Sequence, residues 1–155
     1  MSVGWKLLEA LRERFDAHLD ASVSMGLPTG IESGDYVGVG VSDPEAARRP
    51  ASAFNSSMEW STSIAPEGPF DEDGEVSLAA VASRSDDELP EAIKSVYAIF
   101  NQMLAVLREL WSDHDLLGVV GLWDLKPSGV ELNTAQLDGQ AVAYLLIRFS
   151  FRATI

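Results

Sequence analysis

The chain has 155 residues, 46% of them apolar, no cysteine, and a formal net charge of −13 from 24 acidic and 11 basic side chains. The length suits one domain with a full hydrophobic core. The missing cysteines exclude a disulfide framework, a thiolate zinc site and a cysteine nucleophile, and the acidic balance argues against gripping a DNA backbone or an anionic membrane surface.

No apolar run reaches the roughly 18 residues of a membrane span. The opening segment, MSVGWKLLEALRERF, is interrupted by charges and reads as an amphipathic helix, not a secretion signal. The protein is therefore expected to remain where it is made or to be built into something there.

The first helix is predicted from Val3 to Asp20. Leu7, Leu8, Leu11, Phe15 and Leu19 form one apolar stripe, with Trp5 beside it. Lys6, Glu9, Arg12, Glu13, Arg14 and Asp16 make a solvated outer face. Gly26, Pro28 and Gly30 end this region. A strand follows over Tyr36–Val41, with valines on one face and Tyr36, Gly38 and Gly40 on the other, so that another group can come close to the glycine face. Asp43-Pro44 stops it.

Residues 42–57 read as a long loop carrying Arg48 and Arg49. Met58–Ile64 alternates as a half-buried strand. Residues 65–75, APEGPFDEDGE, read as a second exposed loop carrying Glu67, Phe70, Asp71, Glu72 and Asp73. Loops of this length point to function or an interface.

The next strand is predicted over Glu75–Ser83. Asp86 or Asp87 then caps a helix from Leu89 to Trp111, with Pro90, Glu88 and Glu91 suited to its first turn. Its apolar face reads Ile93, Val96, Tyr97, Phe100, Met103, Leu104, Leu107, Leu110 and Trp111. Ile99 and Val106 fall outside that stripe, so either the helix is covered on two sides or a second face meets a neighbouring subunit. Gly121–Leu125 and Val130–Thr134 read as strands joined by a Pro127-Ser128-Gly129 turn. The last strand spans Gln140–Thr154. Leu145, Ile147, Phe149 and Phe151 should face the helices, and Tyr144, Leu146, Arg148, Ser150 and Arg152 the other side. The expected fold is one α+β domain: a mixed or antiparallel sheet packed by an N-terminal helix and one long central helix.

Catalytic and ligand motifs are missing from this pattern. Ser112-Asp113-His114-Asp115 strings triad residue types along one loop, whereas a triad is assembled by the fold. His114 and His18 read as ordinary histidines near helix C-termini. Gly38-Val39-Gly40 lacks the third glycine and the following helix of a dinucleotide loop. Counted from Asp71, the positions where a calcium loop needs Gly and Glu hold Val76 and Ala82. Asn55-Ser56-Ser57 fits a glycosylation sequon but follows no secretion signal. No catalytic, cofactor or metal residue is assigned.

The order of elements resembles the tail terminator proteins of long-tailed (siphovirus-like) bacteriophages. The matching parts are the helix over Val3–Leu19, the strands around Tyr36, Met58 and Val76, the long helix after Asp87, Leu116-Leu117-Gly118 after that helix, and Gln136–Gly139 opening the long strand Ala141–Ile155. The resemblance implies a structural, non-enzymatic virion protein at the head–tail junction, assembled in the bacterial host cytoplasm. It implies a homohexameric ring that ends tail-tube growth. Its partners would be the tail tube protein and a head-completion or connector protein, and DNA would pass through the lumen without specific binding. Ring contacts are expected at Arg48 and Arg49 on one loop and at Glu67 and Phe70–Asp73 on the other. The rival expectations are another head–tail connector (a stopper or tail completion protein), a small α+β enzyme using carboxylates, and a monomeric binding module.

Overall fold

The computed structural model describes residues 3–26, 34–40, 54–60, 70–110, 118–119, 121–137 and 139–154, with 54–60, Phe70, Leu110 and Leu137 described by backbone alone. Helix α1 spans Val3–His18 and buries Val3, Leu7, Leu8, Leu11 and Phe15, the stripe its spacing predicts. Strands β1 (Ser22–Met25), β2 (Gly34–Val39), β3 (Phe54–Trp60) and β4 (Phe70–Ser85) follow. Helix α2 (Leu89–Leu110) then leads to β5 (Leu122–Leu137) and β6 (Gln140–Thr154).

All six strands belong to one sheet of order β1-β2-β4-β6-β5, with β3 beside the first half of β4. The β1–β2 pair is parallel and the others are antiparallel, so the sheet is mixed and the fold is α+β. β4 is its spine. One edge pairs with β6 from Asp71↔Thr154 to Ser85↔Gln140. Its other edge is shared end to end, with β3 on Phe70–Val76 and β2 on Leu78–Ser83.

Both helices lie on one face of this sheet. Val37 and Val39 of β2, Val76, Leu78, Ala80 and Ala82 of β4, and Ala143, Leu145, Ile147, Phe149, Phe151 and Ala153 of β6 form one buried cluster with them. Each fully buried Leu or Phe contributes about 1.5–3 kcal/mol by leaving water. A smaller cluster of Ala79, Val81 and Val142, flanked by Tyr36 and Tyr144, occupies the opposite face.

β5 and β6 form a hairpin in which Leu137 pairs with Gln140. Two residues lie between them, in sequence Asp138-Gly139, and Gly139 has φ +76°. Asp-Gly suits a two-residue hairpin because its backbone tolerates positive φ at little cost.

The structure departs from the sequence reading at several points. β1 lies where only a terminating segment is expected, because four residues pairing at a sheet edge give too little periodicity to detect. β3 begins at Phe54 and β4 at Phe70, so 54–57 and 70–75 are strand and not loop. The register against β6 overrides the turn chemistry of Asp73-Gly74. Residues 41–53 and 61–69 lie outside the described set, and with them the remainder of both expected loops.

Pro127-Ser128-Gly129 is not a turn. β5 runs through it with a register shift between Pro127 and Gly129, and a second shift lies between Leu122 and Asp124. These are bulges, and the proline sits in an edge strand, the position that tolerates it. On α2, Ile99 and Val106 are buried while Tyr97 is 42% exposed. The helix is rotated so that Ala92, Val96, Ile99, Met103, Val106 and Leu107 face the sheet. Gly40 has φ +75° and leaves the strand alternation, and a Cβ there would lie 3.5 Å from Leu8 Cδ1 of α1.

Gly121 fixes where β5 starts. Its carbonyl accepts a hydrogen bond from Thr154 N–H at 2.9 Å, its φ is +89°, and a Cβ there would lie 2.2 Å from the Thr154 carbonyl oxygen. Gly118 also has positive φ, +67°, but open space around it. Gly121→Ala should therefore cost about 1–3 kcal/mol beyond the cost of Gly118→Ala, read as a lower denaturant midpoint. Equal midpoints for the two variants would contradict the clash.

Candidate assembly surfaces

The acidic run Asp71-Glu72-Asp73-Gly74-Glu75 shows what strand geometry does to a charge cluster. In a strand, successive side chains point to opposite faces. Asp71, Asp73 and Glu75 stay on the helix-free face, and Glu72 turns inward to full burial. There the Val3 N–H at the start of α1 donates to Glu72 Oε2 at 2.7 Å. The first turn of α1 contains no acid of its own. A strand 69 residues away supplies the carboxylate that a helix N-terminus favours. Glu72 is therefore an internal cap and not a surface contact, which corrects its place among the expected interface residues.

The outward acids are already engaged within the chain. Asp73 faces Arg152 at 3.3 Å, and the Thr154 hydroxyl donates to Asp71 Oδ1 at 2.9 Å. Arg148 lies between Glu75 at 3.8 Å and Glu131 at 3.6 Å, and the Ser128 hydroxyl donates to Glu75 Oε2 at 3.0 Å. The Arg152 guanidinium stands 5.7 Å from the centre of the Trp123 ring. This face is a cross-strand ladder of β4 and β5 acids with β6 arginines. Its exposed pairs each contribute only about 0–1 kcal/mol, so a partner can replace them at little cost.

Of the residues singled out in sequence, Arg48, Arg49 and Glu67 lie outside the described set, and Phe70 is described by backbone alone. The structure thus brings Asp73 to Arg152 and Asp71 to Thr154 of β6, and it removes Glu72 from the surface. His18 is spent locally, its Nδ1 donating to the Arg14 carbonyl at 2.9 Å. His114 lies outside the described residues.

A polar corner at the far end of β4 was not picked out from sequence. Arg84 Nη2 meets Asp35 Oδ1 at 2.7 Å and the Ser95 hydroxyl at 2.9 Å, while Nη1 donates to the Ser83 carbonyl at 2.9 Å. Asp35, Ser83 and Arg84, with Gly34, Ser85 and Glu88, line an open depression of about 420 Å³. Arg84 ties β2, β4 and α2 together there, which accounts for its placement without a ligand. Among the described residues no group of three or more His, Cys, Asp or Glu is arranged to hold a metal ion. None of the described helices is long and apolar enough to cross a membrane.

Large apolar side chains remain at the surface: Trp5 at 55%, Trp123 at 54%, Tyr97 and Val130 at 42%, and Met25 at 39% exposed. Exposed aromatics of this kind are the usual anchors of protein–protein interfaces. Trp5 and Tyr97 are named on or beside helix faces by their spacing; Trp123, next to the register shift between Leu122 and Asp124, is not singled out.

No protein-family model matches this chain, and a search of curated proteins finds no similar sequence.

The cap gives a direct test. Glu72→Ala leaves the Val3 N–H without its acceptor and should destabilise the chain by about 1–3 kcal/mol. Glu72→Gln keeps an acceptor and should retain most of that stability. Chemical denaturation reads the difference, and equal losses in both variants would contradict the capping role.

Proposed function

We propose that this chain is a tail terminator, a structural protein that forms a ring on the end of a phage tail tube, halts its growth and joins it to a head-completion protein. The observation that carries the reading is the order of its elements. An N-terminal helix, a set of strands, an acidic turn into a long helix, and a long final strand follow one another in the order the resemblance requires.

Assembly is the mechanism. A head-to-tail contact repeated around an axis closes into a ring, and the resemblance puts six copies in it. Arg48 and Arg49 of one subunit meet the acidic region of Glu67, Phe70, Asp71 and Asp73 of the next. A net charge of −13 on each copy gives an acidic ring. Its lumen passes DNA because phosphate is repelled and not bound. The ring resides in the virion at the head–tail junction.

Tube assembly tests this. The chain added to polymerising tail tube protein of the same phage should yield shorter tubes, each with a ring at one end. Tube lengths unaffected by the chain would refute the proposal. Replacing Arg48 and Arg49 together by Glu should reduce the capped fraction, and undiminished capping would remove that pairing from the contact.

A further inference from the structure

The two edges of this molecule carry complementary surfaces. On α2, Ser95 shares the Arg84 guanidinium with Asp35 of β2, which turns that flank of the helix toward β2. Ile93, Tyr97, Phe100 and Leu104 recur at helical spacing on the opposite flank, toward β6 and β5. All four are apolar, and none is fully buried. α2 packs chiefly over β4 and β6, while on β5 Leu122 and Leu125 reach the same core. Val130 pairs with Ile147 and so faces the helix side, yet it stays 42% exposed. The result is an apolar shelf between α2 and β5. Lys94 and Arg108 border it, separated by four turns of the same helix, both exposed and neither in an ion pair among the described residues.

At the other edge, α1 leans on β1. Leu8 and Met25 both reach the space beside Gly40. Trp5 stands one turn before Leu8 and projects into solvent. Trp5, Glu9, Arg12 and Asp16 follow one another along the helix at helical spacing. Arg12 is drawn to Glu13 at 3.7 Å, which leaves Glu9 and Asp16 as the exposed charges of that line.

We infer that the α1–β1 edge of one copy docks on the α2–β5 shelf of a second copy. Trp5 is the anchor on Tyr97, Phe100 and Leu104, and Glu9 and Asp16 face Lys94 and Arg108. The argument for a second copy as occupant is charge complementarity. In a chain of net charge −13 the shelf has a basic border and the Trp5 line an acidic one, and the two lie at opposite ends of the sheet. Because the two patches differ, the contact is head to tail and propagates around a ring. This deepens the ring reading above, on which it rests for closure but not for the contact itself.

Sedimentation equilibrium of the purified full chain tests the contact. The mass should rise with concentration toward multiples of the 16.8 kDa chain. Trp5→Ala should weaken association by about thirtyfold, as for an interface anchor. Lys94→Glu with Arg108→Glu should weaken it by about tenfold or more, and adding Glu9→Lys with Asp16→Lys to that variant should restore it. All of these side chains are exposed, so unchanged denaturation midpoints confirm that the variants fold. A wild type that stays monomeric, or charge reversals that leave association intact, would overturn the contact. If association and its rescue behave as stated while tube length is unaffected by the chain, the contact stands and the terminator reading fails.

Discussion

The register of β4 between its neighbours is the constraint on which the rest depends. This one strand pairs with β6 along its whole length and with β2 and β3 on its other edge. Because side chains alternate with a period of two, a slip of one residue would invert every face of the sheet. Val76, Leu78, Ala80 and Ala82 would leave the helices, and the Asp73 and Asp71 side chains would be driven into the core. The same alternation carries Glu72 inward to the start of α1. Core, helix cap and charged outer face are consequences of one register.

The helices cover only part of the sheet. α1 lies toward β1 and α2 lies over β4 and β6; on β5, Leu122 and Leu125 join the buried core while Val130 stays in solvent. α2 has a wider apolar face than one sheet contact can bury, and the surplus falls on the Tyr97 flank. A monomer gains nothing from such a surplus, whereas an assembling subunit uses it. The bulges and Pro127 in β5 act in the opposite sense, since they blunt the first half of an edge strand against unspecific pairing. Edge protection next to an uncovered apolar shelf is the arrangement expected of a protein that associates through chosen surfaces.

Much of this was legible in the sequence. The Leu7–Phe15 stripe, the long helix after Asp87 and the bounds and faces of the final strand all follow from strong periodicity over many residues. What failed was short or context-bound. β1 has four residues. Asp73-Gly74 has the chemistry of a turn, but pairing with Arg152 and Phe151 holds it extended. Pro127-Ser128-Gly129 also looks like a turn and is accommodated as a bulge. Asp138-Gly139 was the hairpin signal that could have joined β5 to β6. The inward role of Glu72 has no sequence signature, because the helix it caps begins 69 residues away. The rotation of α2 that buries Ile99 and exposes Tyr97 depends on which flank Arg84 and Asp35 hold toward β2.

The central claim is that this chain is a ring-forming subunit and not a self-sufficient monomer. Native mass spectrometry measures it most directly, on the purified chain over a range of concentrations and on the chain recovered from tube ends. The account predicts a discrete closed species of six times the 16.8 kDa chain. A monomer under every one of these conditions would contradict it.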